Sequence, residues 1–451
     1  MKKIYACLFA ALVVSACSQK ITQSDDVRSR ILREMEHSMK AELLDAWYPK
    51  AIDREDGGFH SAFTHDFKLT GDGDKMIVSQ ARHVWTNSKA IPLYPQESVY
   101  KTAAEHGFRF LRDVMWDKQQ GGFFNLVDKK GNVKGDEKTA YGNAFGIYAL
   151  AAYHMATKDT SALNLAKKAF RWLEEKSHDP QLKGYFQHLT RDGKVISRTS
   201  EVVSTAETGY KDQNSSIHLL EAFTELYQVW PDPLVKERLN EMLVLIRDTI
   251  VQPKGYLGLF FTPDWKLISY QDSTKDAIQK HFGLDHVSFG HDVETAFLML
   301  EAAHVLGIPK DPKTMEVAKK MVDHSLETGW DDNAGGFYDG GYYFKGSDTI
   351  TIVKDTKNWW TQAEGLNSLL MMSQLYPDDQ QDYFGKFVKL WDYTNTYLID
   401  HQYGEWYQGG IDKEPEQKTA LKGHIWKASY HQFRALANCV AMLKNKDVES
   451  H

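Results

Sequence analysis

A short phrase of glycine followed by aromatic residues returns six times along this chain and limits what it can fold into. The copies are Gly57-Gly58-Phe59, Gly121-Gly122-Phe123-Phe124, Gly184-Tyr185-Phe186, Gly258-Leu259-Phe260-Phe261, Gly335-Gly336-Phe337-Tyr338 and Gly404-Glu405-Trp406-Tyr407. Their spacing, roughly 60 to 75 residues, means that one supersecondary unit is repeated six times. Charged or glycine-containing turns follow several copies, as in Asp128-Lys129-Lys130-Gly131-Asn132 and Thr190-Arg191-Asp192-Gly193-Lys194. The loops are therefore expected to hold short hairpins or extended ribbons.

Between the loops the apolar residues fall at helical period, for example over Val99 to Trp116, Lys138 to Met155, Pro233 to Ile250 and Tyr383 to Leu398. About twelve such segments occur, two per repeat, with short connections inside each pair and the long loops between pairs. The expected fold is all-α: six helical hairpins closed as a double-layered ring, an (α/α)6 barrel. An open solenoid is the alternative, and it would carry atypical polar caps at its ends. No Pro- or Ser-rich linker interrupts residues 27 to 451, which read as a single domain.

In such a ring the helix after each long loop is the inner one, and all inner helix starts open on one mouth. These starts are rich in polar and aromatic side chains. They read Gln80-Ala81-Arg82-His83-Val84-Trp85, Tyr141-Gly142-Asn143-Ala144-Phe145, Asn214-Ser215-Ser216-Ile217-His218, Ser288-Phe289-Gly290-His291-Asp292-Val293-Glu294, Trp359-Trp360-Thr361-Gln362-Ala363-Glu364 and Trp426-Lys427-Ala428-Ser429-Tyr430-His431. In the fourth, Gly290 permits a tight entry, and His291 and Glu294, three apart, share a helix face. A capped helix with a surface histidine would explain that window alone, but recurrence in six windows points to a funnel lined by reactive groups.

The N-terminus reads as an exported lipoprotein. Lys2-Lys3, an apolar run from Ile4 to Val14, and Val14-Ser15-Ala16-Cys17 form a secretory signal over residues 1–16, ending in a sequence that resembles the bacterial lipobox. Cys17 would then carry lipid and anchor the chain to a membrane, with residues 17–26 as a polar tether. The absence of Asp directly after Cys17 suggests the outer membrane. Cys7 leaves with the signal, so Cys439 is the last of the three cysteines and is expected as a buried thiol; the mature chain can form no internal disulfide. Loss of Lys2 and Lys3 takes the formal charge from -7 to -9, which argues against nucleic acid and against polybasic membrane binding.

The fourth start, the Trp359-Trp360 pair before Gln362-Ala363-Glu364, and Trp426-Lys427 with Tyr430-His431 and Arg434 resemble the N-acylglucosamine 2-epimerase family, nearest its cellobiose and mannobiose 2-epimerase branch. Arg82 and His218, in their own windows, also resemble that family's motifs. The resemblance implies an (α/α)6 barrel and metal-independent epimerisation at C2 of a reducing-end sugar or disaccharide, with no cofactor and no obligate protein partner. It implies His291 and His431 as the acid/base pair, His218 as a helper in ring opening and Arg82 as the oxyanion-stabilising residue. Tyr141, Asn214, Glu294, Trp359, Trp360 and Trp426 would line the sugar site. Two departures stand out: Ser216 takes a position where disaccharide epimerases often carry a second histidine, and the chain carries a lipoprotein signal.

The residue types suit that chemistry. Moving a proton off C2 and returning one to the opposite face requires two groups that exchange protons near neutral pH. The enediolate oxygens require fixed positive donors. For each histidine the alternative is a buried imidazole satisfied by its neighbours; for Arg82 it is an ion pair, for instance with Glu294. The motif set lacks a His-x-x-x-His or cysteine pair for a metal and a phosphate-cradling Gly-rich loop. Other functions remain: an aldose-ketose isomerase or N-acylglucosamine 2-epimerase within the family, a glycoside hydrolase using Asp292, Glu294 and Glu364, or a non-catalytic glycan-binding lipoprotein.

Overall fold

The computed structural model describes residues 25–199 and 206–445; the signal, Cys7 and Cys17 lie outside the described residues. Six inner helices, Ile77–Leu93, Ala140–Thr157, Gln213–Val229, Phe289–Val305, Trp359–Leu375 and Tyr430–Lys444, are called the first to sixth here. Each packs on the next and the sixth packs on the first, so the ring is closed and the fold is the (α/α)6 barrel, not an open solenoid. Outer helices begin at Ser98, Thr160, Pro233, Pro312 and Tyr383, each directly after its inner partner. The sixth outer helix comes first in the chain, over 25–47, and lies against the sixth inner helix. The chain thus enters the ring on the outside and leaves on the inside. Asp25 and Asp26, assigned to the tether on sequence, already belong to that first helix.

The two layers differ because their sequences do. The second inner helix is buried nearly all round, and Ala144, Ala149, Ala151 and Ala152 let its neighbours approach closely. Its outer partner, Thr160–Lys176, buries a single stripe that includes Leu165, Ala169, Phe170 and Leu173, and Asp159 caps it by accepting from the Ser161 N–H. Among the described residues no helix is long and apolar enough to cross a membrane.

Each long loop holds a small hairpin, such as that joined by the Val127–Val133 bridge, as the turn residues predict. Beyond prediction, neighbouring loops also pair with one another: Lys75–Met76 lies antiparallel to Leu126–Val127, and Lys138–Thr139 to His188–Leu189. Two devices then tie loops to inner helices. The first, in five of the six loops, is a buried clamp in which a lysine late in the loop meets the aspartate that opens it. The pairs are Lys75–Asp53, Lys138–Asp117, Lys211–Asp179, Lys357–Asp331 and Lys422–Asp400, at 2.7 to 2.9 Å. In each, the second carboxylate oxygen accepts backbone N–H groups of the turn, for example Gln119 and Gln120 on Asp117.

The second device is a polar side chain in the first turns of the inner helix that pins the loop backbone. Gln80 accepts from the Phe59 N–H at 2.8 Å and donates to the Phe59 carbonyl at 2.9 Å. Gln362 does both to Phe337. Asn143 accepts from the Phe123 N–H and donates to the Thr139 carbonyl one turn back. The glycine of the repeated phrase makes room for the pin: a Cβ on Gly58, which has φ 68°, would lie 2.6 Å from the Gln80 amide oxygen. In the third, fourth and sixth helices Ser216, Asp292 and Gln432 hold this position.

Three features differ from the sequence reading. The fourth glycine-aromatic phrase is Gly255-Tyr256-Leu257, not Gly258-Leu259-Phe260-Phe261. Leu257 bridges to Val251 as Phe59 does to Ile52 and Phe123 to Trp116, in a turn one residue shorter. The same loop carries an extra helix, Lys275–Asp285. The sixth inner helix starts at Tyr430, because His424 and Lys427 close a tight turn that keeps Trp426 and Lys427 outside it.

Candidate active site

The pins set the register of everything that faces the funnel. Two residues after each pin, in ring order, come Arg82, Phe145, His218, Glu294, Glu364 and Arg434; immediately before the fourth and sixth pins come His291 and His431. Positions three apart share a helix face, so His291 stands over Glu294 and His431 over Arg434. The two histidines are therefore equivalent in their repeats.

Their surroundings are not equivalent. His431 is buried, and its Nδ1 lies 2.7 Å from Glu364 Oε1 and 4.0 Å from Glu294 Oε1. His291 has a hydroxyl at the same nitrogen, Ser288 Oγ at 2.8 Å. Both rings pack on Trp360, with centroids 4.7 Å and 6.0 Å from its indole. Gly290 is required for this approach, since a Cβ there would sit 2.6 Å from the Trp360 ring. Burial holds His291 neutral, lowering its pKa to about 3, with His218 adding to the effect. Burial also lowers His431 well below the ordinary value, helped by Arg82 and opposed by Glu294.

Beneath the histidines lies a charged cluster. Arg434 donates through Nη2 to Glu294 at 2.5 Å and reaches Glu364 at 2.7 Å, and through Nη1 it bonds Glu221 and the Tyr430 hydroxyl. Glu221 also holds His218, whose Nδ1 is 2.8 Å from Oε2, and accepts from Tyr430. Burial pushes Glu221 toward protonation, but Arg434 and His218 outweigh it and hold the carboxylate down at about 2. For Glu364 burial prevails over Arg434 and the pKa is raised, and its Oε2 has no partner. Glu294, Glu364 and His431 are the one group of metal-ligand side chains brought together among the described residues, with atoms within 4.8 Å of one another. Arg434 already donates to both carboxylates, so the cation they face is this guanidinium.

The remaining site residues divide. Arg82 makes no ion pair with Glu294: it donates to the Trp426 carbonyl at 2.8 Å and to the Tyr141 hydroxyl at 3.3 Å, and lies over the rings of Phe145 and Tyr430. Its Nε is buried without a partner. Tyr141 packs edge-on against His218. Asn214 stands half-buried at the start of the third inner helix. Trp359 faces the sixth loop, with Lys427 over its ring and His424 at its edge, so it lies behind Trp360. Trp426 is 51% exposed, and its backbone carbonyl is what touches Arg82. Glu221 and Tyr430 were not singled out on sequence, although the i,i+3 spacing of His218 and Glu221 was available as a signal.

The N-acylglucosamine 2-epimerase (GlcNAc 2-epimerase) family model matches residues 57–435. The chain is 28% identical over 419 residues to a cellobiose 2-epimerase of Bacteroides fragilis, covering 91% of this chain and 98% of that protein. It is 26% identical to a D-mannose isomerase of Marinomonas mediterranea, over 88% of this chain and 93% of that one. Among solved structures, cellobiose 2-epimerase from Spirochaeta thermophila superposes with a TM-score of 0.80 at 28% identity, over 93% of this chain and 98% of the other.

Proposed function

Since the chain belongs to the N-acylglucosamine 2-epimerase family and is an isomerase of sugars, we propose that it inverts C2 of the reducing-end residue of a disaccharide of the cellobiose or mannobiose type, without a metal. The observation that carries this reading is the pair His291 and His431, set at equivalent places in two repeats, packed on one indole, and differently backed.

The charge balance supports a proton-transfer site. Glu221, Glu294 and Glu364 surround the Arg434 guanidinium and Arg82 lies over the same Tyr430 ring, so the buried cluster reaches neutrality by holding one further proton. The raised Glu364 and the lowered His431 support holding that proton on Glu364, shared with His431 Nδ1. His218, oriented by Glu221, moves the anomeric proton toward the ring oxygen and opens the ring. His291, donating from Nδ1 to Ser288, presents Nε2 as a neutral base and takes the proton from C2. Arg82, desolvated and with a free Nε–H, stabilises the enediolate oxygens. His431 gives its Nε2 proton to the other face of C2 and regains one at Nδ1 from Glu364. In the reverse direction the two histidines exchange roles. Trp360 provides a flat apolar wall for the sugar, and Tyr141, Asn214 and the exposed Trp426 border the mouth.

Incubation with cellobiose and with mannobiose in deuterated water tests the reading. The expected product is the 2-epimer carrying deuterium at C2. A ketose product shifts the assignment to aldose-ketose isomerisation, released monosaccharide to hydrolysis, and unchanged sugars to glycan binding.

The location follows from Val14-Ser15-Ala16-Cys17. Diacylated Cys17 anchors the barrel at the outer membrane, since two or more acyl chains hold stably where one does not, and the substrate is then a sugar met outside the cytoplasm. Cys17→Ser is expected to move intact, active enzyme from the membrane fraction to the soluble one; a variant that stays membrane-bound defeats this assignment.

A further inference from the structure

The fourth loop, which carries His291, is built differently from the other five. The aspartate of the clamp is replaced by Gln252 and the lysine by Val287, the turn is one residue shorter, and the pin is an acid, Asp292. Asp292 is fully buried. Its Oδ1 accepts the Leu257 N–H at 2.9 Å, as the amide oxygens of Gln80, Asn143 and Gln362 accept from Phe59, Phe123 and Phe337. Those amides use their second atom as a donor, to the Phe59, Thr139 and Phe337 carbonyls. The matching atom of Asp292, Oδ2, is buried and has no partner. An ionised carboxylate has no hydrogen to donate, and where the sister loops bury a lysine this one has valine.

We propose that Asp292 is a neutral carboxylic acid standing in for an amide, a positioning residue whose Oδ1 holds the Leu257 N–H and which thereby fixes His291, its neighbour in sequence. It takes no part in the proton transfers themselves. Burial raises its pKa well above the ordinary carboxylate range, opposed by the single Leu257 N–H bond. The titratable groups around it are the phenols of Tyr256 and Tyr343, His324 bonded to Tyr343, Lys254 over the Tyr343 ring at 4.9 Å, and His291 beside it. Among the described residues none of these cations forms an ion pair with Asp292.

The sign of the linkage makes this testable without a substrate. A carboxyl whose folded pKa is raised contributes stability that is complete below its unfolded value, about 3.9, and is lost as pH rises toward the folded value. Asp292→Asn keeps the acceptor, is neutral at every pH and removes that loss. Its melting temperature is expected to gain on that of the unsubstituted protein as pH rises from 4 to 8, the gap widening by at least about 1 °C. Asp292→Ala, which removes the bond to the Leu257 N–H and leaves a void, is expected to melt below Asp292→Asn at every pH. The activity arm rests on the epimerase reading above: with cellobiose, Asp292→Asn should keep turnover within a few-fold, while Asp292→Ala should lose about 10- to 100-fold. A pH-independent gap, an Asp292→Asn chain less stable than the original at pH 8, or loss of turnover equal to that of Asp292→Ala overturns the proposal. If cellobiose is untouched by the original protein, the epimerase reading fails and the melting series alone decides for or against Asp292.

Discussion

The surroundings of His291 and His431 start from the same position in two repeats and end in opposite electrostatics. Behind His431 lie Glu364 at 2.7 Å, Glu294 at 4.0 Å and the guanidinium of Arg434 one helical turn below. Behind His291 lie a serine hydroxyl, a glycine and the buried acid Asp292. Burial holds both imidazoles neutral, but one faces a carboxyl able to store a proton and the other a serine hydroxyl. A repeat architecture thus yields two identical side chains at equivalent places and gives them different hydrogen-bond partners, Glu364 for one and Ser288 for the other. The fifth helix supplies the difference and the common wall at once, Glu364 to His431 and Trp360 to both rings.

The largest expected effect removes either member of the pair. His291→Ala and His431→Ala should each lower turnover on the epimerised sugar by at least ~100-fold, with circular dichroism and sugar binding unchanged. A variant with near-normal turnover would remove that histidine from the proton path. The pH profile sharpens the same point. Both imidazoles are held neutral, His291 down to about 3, so kcat/KM should stay level as pH falls through 6.5 and decline only well below it. A decline centred near 6.5 would mean that neither ring is as desolvated as its burial requires.

The ring was legible in the sequence because six loops and twelve helical periods admit few closed arrangements, and the polar helix starts marked the mouth. The register of the site was less so. Gly258-Leu259-Phe260-Phe261 imitates the repeated phrase, while the working turn at Gly255 has lost a residue and bridges with leucine where the others use an aromatic, so only the Val251–Leu257 bridge reveals it. Trp426-Lys427 reads as a helix start, yet Lys427 is buried beneath Trp359 and the helix waits until Tyr430. Glu364 and Arg434 entered the sequence reading through the family motifs, and Glu364 also as a hydrolase carboxylate, but the cluster they form with Glu221 did not, since charges on helices are usually solvated. Their burial around one guanidinium depends on three helices more than 200 residues apart in the chain at the extremes, as with Glu221 and Arg434. The clamp lysines were illegible for the same reason: a buried lysine is unexpected until its aspartate is seen.

An intermediate effect is expected from the group that makes the two histidines unlike. Glu364→Gln keeps the shape beside His431 but can no longer give up a proton to Nδ1, so the relay loses its store. Turnover should fall by about 10- to 100-fold in both directions while KM changes little, because the carboxylate backs an acid/base group and does not hold the sugar. The solvent-derived label at C2 should still appear, only more slowly. A Glu364→Gln enzyme with unaltered kcat would mean that His431 draws its proton directly from water in the funnel, and the distinction between the two surroundings would carry no chemical consequence.

The smallest effect is expected at Ser288. Its Oγ accepts from His291 Nδ1 in the base-competent tautomer, so it orients the ring without storing a proton or compensating a charge. Ser288→Ala removes one neutral hydrogen bond, worth about 0.5 to 1.5 kcal/mol, and Trp360 still holds the ring in place from the other side. Turnover should therefore fall by roughly 2- to 10-fold, well short of Glu364→Gln, with the pH profile unmoved. If Ser288→Ala instead falls as far as Glu364→Gln, the hydroxyl is part of a proton path and His291 is backed as actively as His431. The order of the two losses, measured side by side on one substrate, thus decides whether the barrel built one histidine backed by a proton store and one backed by a neutral hydroxyl, or two of a kind.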